Sequence, residues 1–256
     1  MYAKKILRTL AVALFWLAIW YAAARLAGSE YLFPDPLTVL ARMGALALTG
    51  EFWTVCLTSL GRILLGVLAA VAVSVPLAVL TTAVPTADTL LSPLLTVVKS
   101  TPVASFIILA LVWLGRETVP TFIAFLMVLP VVWGNVSAGI RNTDASLLAL
   151  CRAYRVPRAR VLLRLYVPSV APHFTAAVQT ALGLAWKAGV AAEVLTAAKT
   201  SIGKEIFEAK QYMETVNLFA WTLVVILLSL MIEKLVMALL SKVSRRQKEV
   251  LNAQGK

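Results

Sequence analysis

The chain has 256 residues, 61% of them apolar and only 14% charged, with a mean hydropathy of +0.87. That apolar share lies far above the roughly 45–50% of a soluble domain and excludes a soluble, disordered or disulfide-built protein. Lys and Arg outnumber Asp and Glu 24 to 12, a net charge of +12, while one His and two Cys leave little for a metal centre or thiol framework.

A bilayer core about 30 Å thick takes roughly 20 apolar residues in a helix. Six stretches reach that length, at about 6–27, 54–81, 89–114, 118–140, 169–197 and 217–241. The expected fold is therefore an all-α polytopic membrane protein with six transmembrane helices in one domain, 1–256. The first stretch also resembles a signal peptide, with Lys4, Lys5 and Arg8 before it and Ala22-Ala23-Ala24 near its end. Its length, and Trp16, Trp20 and Tyr21 as interfacial anchors, favour a retained helix.

Pro34 and Pro36 prevent an immediate return across the bilayer, and Leu37, Leu40, Met43 and Ala47 give an amphipathic helix suited to a membrane surface. The third stretch carries Pro93, Lys99 and Pro102 and is expected either to kink or to lay its first third at the interface. Lys99 has two open readings, snorkelling to headgroups or lining a pathway beside Pro102.

The connection from Arg141 to Val167 is the most basic part of the chain and reads as two short helices. Asp144 caps the first, placing Leu147, Leu148, Cys151 and Tyr154 at helical spacing. Pro157 opens the second, whose apolar stripe is Val161, Leu162 and Leu165. Arg152, Arg155, Arg158, Arg160 and Arg164 cover the rest. A basic loop on anionic headgroups and a docking element for a soluble partner both fit this pattern.

In the fifth stretch, Ala181, Ala185, Ala188 and Ala192 form one small-residue stripe for close helix approach. Gln179, Trp186 and Glu193, seven apart, share another face, either a wet pathway wall or a packed seam. The segment from Lys199 to Thr215 mixes three Lys with three Glu around Ile202, Ile206 and Phe207. In the last stretch the adjacent Glu233 and Lys234 are expected to offset each other's charge.

The cations orient the chain. With the N-terminus cytoplasmic, fourteen of them fall inside: Lys4, Lys5 and Arg8, six Arg between 141 and 164, and five Lys or Arg from Lys242 onward. Both termini are then cytoplasmic, in a cell membrane. The net charge is thus topological, and no nucleic acid is implied.

No G-x-x-x-x-G-K-[ST], H-E-x-x-H or G-x-S-x-G occurs, and His173 stands alone, so neither a nucleotide site of its own, nor a metal site, nor an enzyme is expected. An ion-coupled secondary transporter is the alternative class, but it predicts inverted repeats that the two halves lack.

The spacing from Ala149 to Pro168 resembles the cytoplasmic loop of ABC importer permeases. Ala149, Leu150 and Cys151 occupy the place of the family's Glu-Ala-Ala, and Arg155 the place of its Gly. Leu165, Val167 and Pro168 stand at its Ile, Leu and Pro. Phe33-Pro34-Asp35-Pro36, Ser59-Leu60-Gly61-Arg62, Trp113-Leu114-Gly115, Ala192-Glu193 and Ser201-Ile202-Gly203 follow in the order of the aliphatic sulfonate, taurine and nitrate permeases. The resemblance implies the type I importer permease fold. It also implies two permease copies, cytoplasmic ATPase subunits that hydrolyse the ATP and dock on residues 141–168, and an extracytoplasmic substrate-binding protein near residues 199–215. By that analogy Lys99, Pro102, Gln179, Trp186 and Glu193 are candidate pathway residues. Two departures matter: the motif Glu is Ala149, and the motif Gly is Arg155, where a left-handed turn costs a residue with Cβ roughly 1–2 kcal/mol. Arg155 is then expected to add a charge contact to an acidic rim of the ATPase.

Overall fold

The computed structural model describes the backbone of residues 2–29 and 31–253 and the side chains of 7–8, 10–29 and 31–239. The side chains of Lys4, Lys5, Lys242, Arg245, Arg246, Lys248 and Lys256, on which part of the charge asymmetry rests, lie outside that set. Every described element is helical: α1 (Tyr2–Ala27), α2 (Pro36–Ala47), α3 (Gly50–Ala83), α4 (Pro85–Ser100), α5 (Val103–Trp113), α6 (Val119–Arg141), α7 (Ala145–Ala153), α8 (Arg158–Val161), α9 (Val167–Thr196), α10 (Ile202–Gln211) and α11 (Thr215–Ala253). A π turn over Leu162–Tyr166 joins α8 to α9.

Among the described residues five helices are long and apolar enough to cross a membrane, and the bent pair α4–α5 brings the number to six when it is counted as one span. The third expected span is divided at the expected prolines, more sharply than a kink: α4 and α5 meet at 107°. Pro102 lacks an N–H, and as the residue before proline Thr101 is pushed to extended backbone, ψ 132, so the helix ends and restarts.

The core is the trio α3, α6 and α9. α3 and α6 run parallel, with Gly66 beside Thr121, Ser74 beside Leu129 and Thr81 beside Trp133. α9 runs antiparallel to both, with Ser59 beside Glu193 and Gly139 beside His173. Small residues bring the backbones together: a Cβ on Gly66 would lie 2.3 Å from the Thr121 carbonyl oxygen and 2.9 Å from Ala124 Cβ. The stripe Ala181, Ala185, Ala188 and Ala192 is buried throughout its length, as its spacing predicts. Polar side chains tie the helices where no water competes. Ser74 Oγ donates to the Leu129 carbonyl at 3.1 Å, the Trp133 indole to Thr81 Oγ1 at 3.0 Å, and the Trp186 indole to the Val225 carbonyl on α11 at 3.1 Å.

At one end of the bundle sit α10, α2 and the turn before α6; at the other sit α7, α8 and the start of α4, where Arg141 pairs with Asp88 at 2.9 Å. Asp35 caps α2 by accepting from the Leu37 and Thr38 amides. The face of α2 that packs inward is Pro36, Val39 and Met43, so Leu37 and Leu40 of the expected stripe remain exposed. Glu233 and Lys234 form no ion pair, since neighbours on a helix point about 100° apart.

Candidate functional site

The connection between α6 and α9 forms one terminus of the bundle. Asp144 Oδ1 accepts from the amides of Ser146 and Leu147 at 2.7 and 3.2 Å and starts α7 as predicted. The helix ends in a complete Schellman turn. Val156 N–H donates to the Cys151 carbonyl at 2.9 Å and Arg155 N–H to the Arg152 carbonyl at 3.0 Å, with Arg155 left-handed at φ 52. Arg155 therefore adopts the conformation that the family's Gly would supply.

The apolar residues of α7 do not form one stripe. Leu147, Leu150 and Tyr154 point outward, 45%, 52% and 77% exposed. Leu148, Cys151, Arg152 and Arg155 instead line a cleft of about 660 Å³ against Val156, Arg158, Leu162 and Tyr166. Arg155 thus faces the cleft, not the exposed apolar face. Ala149 is exposed on the helix, and Pro157 caps α8 without a side-chain bond.

The second expected short helix is not separate. Residues 158–161, the π turn and α9 run on as a single rod from Arg158 to Thr196. Leu165 lies in the π turn and Pro168 in the first turn of α9. The wider turn, closed by Val167 N–H on the Leu162 carbonyl, precedes Pro168, whose ring would crowd a regular turn four residues back.

The opposite end holds a buried polar network that joins three of the short segments read from the sequence. Glu193 is wholly buried; its Oε2 accepts from Ser59 Oγ at 2.8 Å and from the Gly203 amide at 3.3 Å. Ser59 Oγ in turn accepts from the Ile202 amide at 2.9 Å. Arg62 Nη1 stands 3.8 Å from Glu193 Oε1, and neither atom has a hydrogen-bond partner among the described residues. Arg62 Nη2 pairs with Glu117 and donates to the Lys199 carbonyl at 3.0 Å, while Glu117 Oε1 accepts from the Lys199 amide at 2.7 Å. The network fastens α10 and its leading turn to α3, α9 and the turn before α6.

Gly203 lies in the first turn of α10, where a Cβ would sit 2.3 Å from Glu193 Cβ and 2.4 Å from the Val194 nitrogen, so it serves close approach. Residues 199–215 are consequently more than a charged connection: Ser201 caps α10 by accepting from Lys204 N–H, and Ile202, Gly203 and Ala209 are buried. Burial holds the Glu205 carboxyl above its ordinary value, with Glu208 adding to the shift.

Two of the five pathway candidates are buried within the single chain. Trp186 and Glu193 are 2% and 0% exposed, so neither lines a surface of the chain. Their seven-residue spacing marks a packed seam, in which Trp186 reaches α11 and Glu193 reaches α3 and α10. Gln179 is half-buried on α9, and Lys99 is exposed at the end of α4, its Nζ 3.8 Å from a Cβ built on Gly134 of α6. Pro102 sits at the α4–α5 break.

Sequence reasoning missed Arg62 and Glu117. Arg62 is the only charge in the predicted span 54–81, and a charge in an apolar span requires a partner on another helix.

The chain matches the model of the binding-protein-dependent transport system inner membrane component over residues 63–249. It is 25% identical over 232 residues to the taurine transport system permease protein of Escherichia coli strain K12, covering 88% of this chain and 83% of that one. A probable ABC transporter permease protein of Brucella melitensis biotype 1 is 28% identical over 222 residues, 86% and 88% of the two chains. A putative aliphatic sulfonates transport permease protein of Bacillus subtilis strain 168 is 26% identical over 207 residues, 80% and 74% of the two chains. The crystal structure of an amino acid ABC transporter with histidines superposes with a TM-score of 0.61, over 81% of this chain and 96% of that one, at 14% identity, and so shares the fold. With its helical spans, its capped connecting loop and this match over most of its length, the chain belongs to the binding-protein-dependent inner membrane transport components, as an ABC permease subunit and not an enzyme.

Proposed function

We propose that this permease works as a pair of copies in an ABC importer, with α7 seated on a cytoplasmic ATPase and the α10 end receiving an extracytoplasmic binding protein. The observation that carries this reading is the outward apolar face of α7. Leu147, Leu150 and Tyr154 stand exposed on a helix fixed at both ends, by Asp144 and by the left-handed Arg155. Three exposed apolar side chains at i, i+3 and i+7 are the anchors by which a short helix enters a groove. Because residues 158–196 form one rod, a push on the loop reaches the α10 end along some 39 residues. At 1.5 Å per residue that is roughly 58 Å. Both termini are cytoplasmic in this reading.

The cargo is a small polar or anionic solute of the sulfonate type, supported by the taurine and aliphatic sulfonate transport proteins among the relatives. Lys99, Pro102 and Gln179 are the remaining pathway candidates; Lys99 supplies a cation suited to an anionic solute. The test is co-purification of the ATPase with this permease from membranes. A P-loop ATPase is expected to be retained, and Leu150→Asp with Tyr154→Asp to lower its recovery at least tenfold. Recovery unchanged in both variants would sink the docking role of α7.

A further inference from the structure

A second cavity adjoins the basic cleft, and the two share Leu162 and Tyr166, the first and last residues of the π turn. It is an apolar groove of about 630 Å³ bounded by Val75 and Val79 of α3, Ile140 of α6 and Val170 and Phe174 of α9. Along α9 it runs from Leu162 to Phe174, about 18 Å at 1.5 Å per residue. That is close to half of a bilayer core of about 30 Å, so the groove spans about one leaflet, starting from the α7 end. At its mouth Arg152, Arg155 and Arg158 line the cleft. None of the three has an ion-pair partner among the described residues, and the sequence has no acid between Asp144 and Glu193. Three arginines lining one cleft bring like charges together, which an anion seated there would offset.

We propose that groove and cleft together bind one anionic diacyl phospholipid of the leaflet at the α7 end, with acyl chains along α3, α6 and α9 and phosphate between Arg152, Arg155 and Arg158. The ligand fits both halves of the site: an apolar slot one leaflet deep and a basic headgroup cleft at the interface. Guanidinium forks suit a phosphodiester, which accepts two parallel N–H bonds. The outward apolar face of α7 stays free, so the lipid and a soluble partner use different sides of that helix. The proposal needs only a membrane-spanning chain and does not depend on the ATPase reading.

The test is native mass spectrometry of the full-length permease titrated with dioleoyl phosphatidylglycerol or with dioleoyl phosphatidylcholine. One phosphatidylglycerol is expected to bind at least tenfold more tightly than phosphatidylcholine, and Arg152→Gln and Arg158→Gln each to weaken it about fivefold. Ala171→Phe, which fills the groove and leaves the arginines intact, is expected to weaken it at least as much. It keeps the test open if an arginine variant does not fold. Glycerol 1-phosphate, a headgroup without chains, is expected not to compete. Equal affinity for the two lipids overturns the proposal, as does competition by glycerol 1-phosphate, which makes the cleft a plain phosphate site. So does lipid binding untouched by the arginine variants while ATPase recovery falls, which makes the cleft a protein-docking surface.

Discussion

Replacing Glu193 by Ala removes the centre of the network that fastens α10. The carboxylate is wholly inside the chain and Arg62 is 18% exposed, so the guanidinium keeps Glu117 on Nη2 but has little water to replace Glu193 beside Nη1. Breaking a buried ion pair from one side costs roughly 3–5 kcal/mol. The orphaned Ser59 hydroxyl and Gly203 amide add to that cost without being strictly additive. At roughly 2–4 °C per kcal/mol for a chain of this size, the melting temperature should fall by about 6–20 °C. Glu193→Gln keeps an acceptor for Ser59 and Gly203 and removes only the charge, and should cost roughly 1–3 kcal/mol. The assay is the temperature at which half of the purified protein leaves the monodisperse peak on size exclusion. A cycle with Arg62→Leu isolates the pair: the double variant Arg62→Leu with Glu193→Ala should lose clearly less than the sum of the singles, because neither member of the Arg62–Glu193 pair is left behind while Glu117 keeps the Lys199 amide. A Glu193→Ala melting point within about 2 °C of the parent, or a strictly additive cycle, would refute the reasoning.

Arg155→Gly relieves the left-handed cost of roughly 1–2 kcal/mol against a loss of about 0.5–1 kcal/mol to unfolded-chain freedom, and should slow amide exchange across α7; faster exchange would contradict the strain. In the ATPase co-purification, unchanged recovery with both Arg155→Gly and Arg155→Glu removes Arg155 from the docking contact. Gly203→Ala drives a Cβ into Glu193 and Val194, so α10 should lose amide protection, whereas Gly61→Ala, which meets open space, should leave it unchanged. The Thr38 amide and hydroxyl hold the Asp35 carboxyl below its ordinary value. Its contribution to α2 is therefore complete above the unfolded carboxylate range and lost as pH falls through the lower folded one. Protection factors in α2 should drop over that acid window, and Asp35→Asn should abolish the pH dependence.

The apolar spans, the Asp144 cap and the buried alanine stripe were legible in the sequence because each follows from contacts within a few residues of one helix, whereas the left-handed demand at Arg155 followed from the resemblance to the permease loop, whose Gly it replaces. Apolar length fixes a membrane helix, a capping side chain reaches only two or three amides onward, and a four-and-three spacing lies on one face whatever packs there. The sequence also placed Ser59, Arg62, Glu193 and Gly203 in separate weak segments. Their convergence was not legible, because Ser59 and Glu193 are 134 positions apart and meet only when α3 and α9 pack. The same holds for direction. A spacing of seven put Trp186 and Glu193 on one face of α9 but could not say whether that face meets water, α11 or α3. What the sequence determined by itself was a membrane permease with a basic connecting loop. Only the tertiary structure decided that Glu193 is sealed inside it, that the third span breaks at Pro102, and that Arg152 and Arg155 line a cleft instead of sharing the outward apolar face of α7. The physical reason is that side-chain burial and ion pairing depend on which helices face each other, and helix propensity carries no record of that.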